Sequence, residues 1–384
     1  MTKIPQRGAL INSEKGLQNS LLTFLKKAAE KKLFDAIMLP MQVPSGDSFA
    51  WILIKDMQLL DEATPIAPIM PVNAAKAVKR LTRKGEGSSK IAVLIKPCEV
   101  RACVELAKLN QIRTEDIIIL SYDCLGALPM QDYIKDPVWG KQEFSAILES
   151  KNWNSQFVKP VCKICDKFSL SASDLHFGII DEQLLAIANS EKGETLLAGM
   201  DMKADQELEN WKQYIRKIRT KRLASKAETF EVIKTKVAGF ANLLDTFSEC
   251  IGCHNCQSAC PICYCRQCYF DSAVSKPNSD VVLMRAEQRG GVSLPLDKIM
   301  FHTGRMAHMS LSCISCGLCS DACPVNIPVA KIFSYVASET QKTFEYTAGE
   351  SFGDALPMKE YKPEELGELG KLVQNAEIQE GGHE

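Results

Sequence analysis

Two copies of one cysteine pattern lie between residues 250 and 324. The first motif reads CIGCHNCQSACP over residues 250–261, and the second motif reads CISCGLCSDACP over residues 313–324. In each motif three cysteines are separated by two residues, and a fourth follows after three more residues and precedes a proline. The proline sets the chain direction and removes a backbone donor, and Gly317 relaxes the second loop. The pattern predicts two short loops that wrap thiolates around metal centres.

This spacing is the bacterial-ferredoxin run, which binds two 4Fe–4S clusters. Three closely spaced thiolates hold three corners of one cluster, and the fourth cysteine points away and ligates the other. The predicted ligands are therefore Cys250, Cys253, Cys256 and Cys323 for the first-motif cluster, and Cys313, Cys316, Cys319 and Cys260 for the second-motif cluster. Structural zinc, the alternative, also binds four thiolates, but its sites usually use paired C-x2-C knuckles.

Composition and charge are those of an ordinary soluble protein. The 384 residues suggest two or three domains, and 46% of them are hydrophobic and 24% charged. A net charge of -1 gives no indication of nucleic-acid binding. No apolar run reaches the length of a membrane span, and the first residues lack the apolar core of a signal peptide. The sixteen cysteines therefore indicate metal-bound thiolates in a reducing cytoplasm, with any membrane attachment made through a partner.

The chain before the motifs follows α/β order. Short strands of the buried type are predicted at 91–95 and 117–121, with a helix at 99–109 between them. The other elements predicted in this half are a helix at 15–32 and strands at 34–43, 49–54 and 175–180. Cys98 and Cys124 follow two of the strands. In such sheets the functional groups collect at the carboxyl ends of the strands, so both cysteines are candidates for a site.

A scattered set of cysteines supplies a candidate third metal site. Cys162 and Cys165 form a C-x2-C pair ahead of the strand at 175–180. Together with Cys98 and Cys124 they provide the four thiolates that a 4Fe–4S cluster needs. Two alternatives stay open on spacing alone: a cysteine after a strand is often a small buried hydrophobe, and a lone C-x2-C pair can be a redox dithiol.

The stretch ATPIAPIMPVN at residues 63–73 is rich in proline. Its three prolines exclude a helix and favour an extended loop. Asn73 is a candidate N-cap for a helix at 74–81. A rigid loop that ends at a helix N-terminus suits a phosphate or the edge of a flavin, and a proline-rich surface connection is the alternative.

The rest of the chain contains further predicted elements and several unassigned residues. The elements are a hairpin-like strand at 184–189 with a turn at 190–193, helices at 206–236, 230–247 and 326–337, and a Gly-, Pro- and Glu-rich tail from residue 347. About fifty residues separate the two motifs. They contain three cysteines of undefined role (Cys263, Cys265 and Cys268) and His302, a candidate ligand that is more commonly a surface or hydrogen-bonded histidine. Cys103 falls in a helical pattern and is predicted to lie in the core.

Several segments resemble a known family. They are Lys96-Pro97-Cys98, Tyr122-Asp123-Cys124, CKICD at 162–166, ASDLHFG at 172–178 and the turn at 189–193. They resemble the β subunits of coenzyme F-420-reducing hydrogenases and F-420-linked formate dehydrogenases, over most of residues 8–200. The resemblance implies an α/β (α+β) domain that binds a 4Fe–4S cluster beside FAD through Cys98, Cys124, Cys162 and Cys165. The candidate flavin contacts that it implies are Lys15, Gly16, Pro71 and Asn73.

The expected domain organisation follows from the resemblance and the two motifs. It comprises a flavin and 4Fe–4S domain at 1–205, a helical linker at 206–248, a small ferredoxin-like domain with two 4Fe–4S clusters at 249–340, and an extended C-terminal arm at 341–384. The long insert between the motifs belongs to the ferredoxin-like domain.

The expected function is that of an oxidoreductase subunit that depends on its partners for activity. FAD would exchange electron pairs with a carrier such as coenzyme F-420 or NAD(P), while the clusters exchange single electrons with a partner subunit. The partner would be of the formate dehydrogenase, hydrogenase or heterodisulfide reductase type. Lys15-Gly16-Leu17 stands where the family has paired glycines. That difference favours the alternative, a flavin-free electron-wire and docking subunit with no substrate of its own.

Overall fold

The chain alternates strands and helices up to the first motif and is helical after it. The computed structural model describes residues 5–12, 16–85, 87–180, 183–357 and 359. The strands are β1 Arg7–Asn12, β2 Ala36–Gln42, β3 Phe49–Ile54, β4 Ile91–Ile95, β5 Ile117–Tyr122, β6 Leu175–Ile180, β7 Gln183–Ala188 and β8 Gln206–Glu207. The helices before the first motif are α1 Leu17–Glu30, α2 Ala74–Thr82, α3 Pro97–Lys108, α4 Met130–Lys135, α5 Pro137–Glu149, α6 Pro160–Lys163, α7 Glu191–Gly199, α8 Glu209–Val237 and α9 Gly239–Thr246. The later helices are α10 Asn255–Ala259, α11 Ser279–Arg289, α12 Lys298–Met309, α13 Leu318–Asp321 and α14 Val329–Thr343.

The strands of the described residues join one sheet in the order β3-β2-β4-β5-β6-β7-β1-β8. The central strands β2, β4, β5 and β6 are parallel, and the outer pairs are antiparallel. This arrangement confirms the predicted α/β class. Because parallel strands end at the same edge, the segments that follow β4 and β5 meet there. In the described ranges, no helix has the length and apolar character needed to cross a lipid bilayer.

Two hydrophobic cores cover the two faces of the sheet. Leu94 of β4 lies in a core with α1 and α5, whereas its neighbour Val93 lies in a core with α2 and α3, as the alternation of side chains along a strand requires. The second core continues into the cysteine-rich half of the chain through Phe301 and Phe333. The cysteine-rich segment therefore packs directly on the α2–α3 face of the sheet.

Most predicted elements agree with the structure to within a few residues, but the predicted turn at 190–193 is wrong. Ser190 instead caps α7, because its Oγ accepts a hydrogen bond from the backbone N–H of Gly193 at 3.3 Å. The glycine at position 193 allows α7 to pack closely against the backbone at Asp174, since a Cβ there would lie 2.0 Å from the Asp174 carbonyl oxygen. A serine followed by a glycine can mark a helix start as well as a turn.

Another difference concerns the boundary between two helices. Residues 230–247 are not one helix, because α8 continues to Val237 and α9 starts after a break at Ala238. Gly239, with φ of +79°, provides the change of direction.

The strands β1 and β8 have no counterpart among the predictions. β8 consists of two residues that pair with Arg7 and Gly8, so it is defined by its tertiary partner and carries no periodic signal.

The segment after α14 returns to α3. The Tyr346 hydroxyl donates to Glu105 Oε1 at 2.5 Å, and the Arg101 guanidinium donates to the Ala348 carbonyl oxygen at 2.7 and 2.9 Å. The first part of the predicted C-terminal arm therefore packs on its own chain. Residues 360–384, which make up most of that arm, lie outside the described residues.

Candidate metal centres

Four cysteines converge near the carboxyl edge of β4 and β5: Cys98, Cys124, Cys162 and Cys165. Cys98 lies in the first turn of α3, directly after β4, and Cys124 follows β5 by two residues. Burial raises the pKa of the Cys98 thiol, and charge on Cys124 and Cys165 raises it further. Burial likewise raises the pKa of Cys124 to about 12, and charge on Cys162 adds to this. The structure brings the four predicted ligands of the third cluster within electrostatic reach of one another.

A buried hydrogen-bond network fixes the loop that carries Cys124. The carboxylate of Asp123 accepts from Trp211 Nε1 at 2.7 Å, from the backbone N–H of Ile179 at 2.8 Å and from His176 Nε2 at 3.0 Å. Asp123 and His176 are fully buried, and Trp211 is nearly so. Each of these donors would cost about 1–3 kcal/mol if it lost its partner. The position of Cys124 is thus tied to β6 and α8.

Helix α8 also holds the loop that carries Cys165. The buried Arg222 side chain donates to the carbonyl oxygens of Cys165 at 3.3 Å and Trp153 at 2.9 Å. One turn further along the helix, Lys226 forms an ion pair of 2.8 Å with Asp166. The loop between β5 and β6 is therefore anchored on both sides of its C-x2-C pair.

The first-motif cysteines form a second group. Burial raises the pKa of Cys256 to about 11 against the opposing charge of Arg305, and charge on Cys250, Cys323 and Cys253 contributes to the increase. The same two neighbours, Cys253 and Cys323, act on Cys250. Cys323 therefore lies with the first motif although it belongs to the second, which is the crossover that the spacing predicts.

The second-motif cysteines form a third group around a small enclosed cavity. That cavity is lined by all four predicted ligands, Cys260, Cys313, Cys316 and Cys319. Much of the remaining wall is apolar and includes Ile314 and Phe333. Thiols that converge on an apolar space are the donor set that a 4Fe–4S cluster requires, so these residues fit the group. Within the described ranges, no set of three or more His, Cys, Asp or Glu side chains has the geometry of a single-ion site.

The second-motif loop packs directly against α6. Gly317 has φ of +85°, and a Cβ there would lie 2.5 Å from Val161 Cγ2. Glycine was predicted to relax this loop, and it also permits the close approach to α6. Beside this contact, Lys159 forms an ion pair with Asp321, and both side chains are buried. The second-motif group and the group at the sheet edge are therefore neighbours.

Helix α12, in the insert between the motifs, donates to first-motif sulfur atoms. Arg305 Nη1 lies 3.0 Å from Cys256 Sγ, and His302 Nε2 lies 3.4 Å from Cys250 Sγ. Burial, with the charge of Arg305, lowers the pKa of His302 to about 3, so the ring is neutral. His302 is thus a hydrogen-bonded histidine. Arg305 was not singled out from the sequence, where its only signal is the three-residue spacing from His302 on one helix face.

The remaining cysteines have different surroundings. Cys103 is fully buried in the core of α3, as predicted. The Cys263 thiol donates to Cys260, which lowers the pKa of Cys260 to about 6, and it lies 3.0 Å from Met309 Sδ. A separate, largely apolar cavity is lined by Cys263, Cys265 and Cys268.

The candidate flavin contacts that the structure describes lie on two elements: Gly16 precedes α1, and Pro71 and Asn73 precede α2. Gly16 lines a cleft of about 530 Å³ at the start of α1, together with Thr64 from the proline-rich loop. Pro71 and Asn73 do not line that cleft. Asn73 is the N-cap of α2, as predicted, since its Oδ1 accepts from the backbone N–H of Ala75 at 3.0 Å. Lys15 lies outside the described residues.

Residues 246–327 match the family described as the 4Fe-4S dicluster domain. The mixed α/β sheet is thus followed by a ferredoxin-type 4Fe–4S dicluster domain, which confirms the predicted fold class. Over 380 residues the chain is 26% identical to the F420-dependent formate dehydrogenase subunit beta of Methanocaldococcus jannaschii, covering 89% of this chain and 94% of the relative. Over 300 residues it is 28% identical to the F420-dependent formate dehydrogenase 1 subunit beta of Methanococcus maripaludis, covering 68% of this chain and 73% of the relative.

The chain resembles the β subunits of F420-dependent formate dehydrogenases. The resemblance inferred from the quoted segments is therefore confirmed, and it extends over most of the chain. Among solved structures, a chain of the F420-reducing [NiFe] hydrogenase complex from Methanosarcina barkeri is 13% identical, with a TM-score of 0.44 over 61% of this chain and 94% of that chain.

Proposed function

We propose that this chain is the electron-transfer subunit of a multisubunit oxidoreductase of the F420-dependent formate dehydrogenase type. It would hold three 4Fe–4S clusters and FAD, and exchange electrons between a partner subunit and a two-electron carrier, coenzyme F-420 or NAD(P). The clusters supply single-electron transfer and the flavin supplies hydride transfer. The chain itself contributes the thiolates, their spacing and their surroundings.

One observation carries this proposal: the three cysteine groups lie in series. The first-motif and second-motif groups each take their fourth member from the other motif. The second-motif group in turn adjoins the group at the sheet edge, because charge on Cys316 raises the pKa of Cys98 and Gly317 packs on α6. Three neighbouring groups of four thiols support a continuous path from the dicluster domain into the α/β domain.

The proline-rich loop supports a flavin beside the third group. Thr64, at its start, lines the cleft at the N-terminus of α1, and the carbonyl oxygen of Pro68 accepts from the N–H of Leu128, four residues after Cys124. The loop ends where the backbone N–H of Ala74 donates to Glu99, next to Cys98. It therefore runs from the cleft to the third cysteine group. A cleft of about 530 Å³ is within the range of cofactor sites.

The partner subunit would approach the first-motif side. Cys253 is exposed, and the adjacent Ile251 is 58% exposed although it is apolar. Phe240 of α9, the helix that leads into the motif, is 70% exposed. Within the described residues, α11 of the insert has no buried side chain. Exposed apolar side chains beside a redox centre are typical of a surface that another subunit covers.

The deciding experiment measures iron, acid-labile sulfide and flavin per chain in protein purified without oxygen. We expect about twelve irons and about one FAD. In Cys162→Ala we expect about eight irons, because the third cluster loses a ligand while the dicluster pair is intact. An unchanged iron content in Cys162→Ala would show that the group at the sheet edge is not a cluster site.

A flavin-free wire is the second candidate. Lys15-Gly16-Leu17 stands where the related family has paired glycines, and this difference favours it. This reading predicts protein that releases no yellow, fluorescent cofactor on denaturation. Release of flavin would exclude the flavin-free wire. Fully iron-loaded protein that contains no flavin would contradict the FAD-containing subunit proposed above.

A further inference from the structure

A buried arginine lies between the first-motif and second-motif cysteine groups. Arg305 is 3% exposed, and its Nη1 and Nη2 donate to Sγ and the carbonyl oxygen of Cys256 at 3.0 and 3.2 Å. The sulfur atoms that act on it belong to candidate ligands, Cys256 most strongly and then Cys260 and Cys319. A guanidinium is costly to bury without a counter-charge. Here the counter-charge comes from cysteines of both motifs.

The same guanidinium also borders the second-motif cysteine group. Arg305 lines the cavity that the second-motif thiols enclose. Its Nε is buried and has no hydrogen-bond partner among the described residues. A buried donor without a partner is destabilising, so this N–H calls for an acceptor that the described residues do not supply. The sulfur atoms of a cluster in that cavity are acceptors of this kind.

His302, one turn before Arg305 on α12, contacts the first-motif group. Its Nε2 lies 3.4 Å from Cys250 Sγ, and its ring stacks on Phe247 with centroids 3.9 Å apart and planes 12° apart. The stack sets the plane of the ring, with Nε2 toward the sulfur, and a thiolate ligand at Cys250 would accept from the Nε2–H tautomer. The two side chains of α12 thus differ in reach. Arg305 contacts Cys256 and lines the second-motif cavity, whereas His302 contacts Cys250 of the first-motif group.

A cation or an N–H donor beside a cluster stabilises its reduced form, which carries one more negative charge. We propose that α12 sets the reduction potentials of the dicluster domain, with Arg305 raising the potentials of both clusters and His302 raising that of the first-motif cluster alone. Both act as positioning residues through the ligands. This inference rests on the proposed function in that both groups of thiols hold clusters.

The test is a redox titration of the anaerobically purified full chain, followed by electron paramagnetic resonance. In Arg305→Gln and Arg305→Met we expect the midpoint potentials of both dicluster signals to shift to more negative values. In His302→Phe, which keeps the stack on Phe247, we expect a negative shift of one signal only. That signal is assigned to the first-motif cluster by its absence from Cys253→Ala.

Matched controls lie on the same insert. Arg289 and His308 are exposed, and His308 lines the separate cavity of Cys263, Cys265 and Cys268. Arg289→Met and His308→Phe remove the same side-chain types at positions that do not line the second-motif cavity, and they should leave both potentials unchanged. Iron and sulfide are measured in every variant. Wild-type protein without eight dicluster irons would contradict the proposed function itself.

If the clusters are present, the measured reduction potentials decide whether the proposal is correct. Unchanged potentials in Arg305→Gln would overturn the role of Arg305, and a shift of both signals or of neither in His302→Phe would overturn that of His302. If Arg305→Met does not fold, Arg305→Gln decides, because it keeps a hydrogen-bond donor and removes only the charge.

Discussion

At the scale of single residues, two cysteines of α3 make a matched pair. Cys98 lies in the first turn of the helix beside the other thiols of the third group, whereas Cys103 is fully buried among apolar side chains of the core. We expect Cys98→Ala to lose about four irons per chain, because a 4Fe–4S cluster loses one of its four ligands. Cys103→Ala should keep all of its iron and lower the free energy of unfolding by about 1 kcal/mol.

The measurement is iron and sulfide per chain together with thermal unfolding of both variants. Equal iron in the two variants would argue that Cys98 is not a ligand. Loss of iron in Cys103→Ala alone would reverse the assignment and place the cluster on the core side of α3.

The grouping of the first-motif and second-motif cysteines could be predicted from the sequence because their spacing is local. The C-x2-C-x2-C run encodes three ligands within seven residues, and the crossover rule supplies the fourth. The network around Asp123 and the contacts of Arg305 could not be predicted in this way. His176 reaches Asp123 across 53 residues, and Arg305 reaches Cys256 across 49 residues, so both contacts depend on how the chain folds back.

At the scale of elements, the packing of the second-motif loop on α6 depends on one glycine. Gly317 combines φ of +85° with a Cβ position 2.5 Å from Val161. Gly317→Ala introduces backbone strain of about 1–3 kcal/mol. It also introduces a steric conflict with α6, the helix that carries Cys162. We expect lower thermal stability and loss of iron from the clusters on both sides of this contact.

Gly239 provides the control for backbone strain alone. It has φ of +79° and no heavy atom within 4 Å of its Cβ position. Gly239→Ala should therefore lower stability by about 1–2 kcal/mol and keep its iron. If the two alanine variants retain equal iron, the contact between the second motif and α6 is not needed to hold the clusters.

Elements were predicted well where a short apolar run is buried on both sides. The strands at 91–95, 117–121 and 175–180 are β4, β5 and β6 at the centre of the sheet. β1 and β8 lie at the antiparallel end, where pairing partners are distant in sequence. The start of α7 was misassigned because Ser190 and Gly193 are turn residues by type, whereas here one caps a helix and the other allows close packing.

At the scale of the whole molecule, the serial arrangement of the cysteine groups predicts magnetic coupling. The second-motif group adjoins both other groups, so its reduced cluster should show spin–spin interaction with each neighbour. In fully reduced Cys253→Ala the coupling of the second-motif and third clusters should persist. In Cys162→Ala the coupling between the second-motif and third clusters should disappear, which leaves only the coupling within the dicluster pair.

These spectra compare the two variants with the wild-type chain at full reduction. A third-cluster signal that is uncoupled in both the wild type and Cys253→Ala would contradict the order of the groups. The order was only a hypothesis from the sequence, which defines each set of ligands but not which sets are neighbours. The ion pair between Lys159 and Asp321 joins residues that are far apart in the sequence, and no local sequence pattern encodes such a contact.

The return of the C-terminal segment to α3 has a consequence for how the chain is made. Glu105 precedes Tyr346 by 241 residues, and its carboxylate accepts a hydrogen bond from the Tyr346 hydroxyl. During synthesis on the ribosome, α3 therefore emerges long before the residues that cover its buried carboxylate. Since the same helix carries Cys98, we expect iron–sulfur assembly at the proposed third site to follow the synthesis of residues 346–348, which complete the packing of α3.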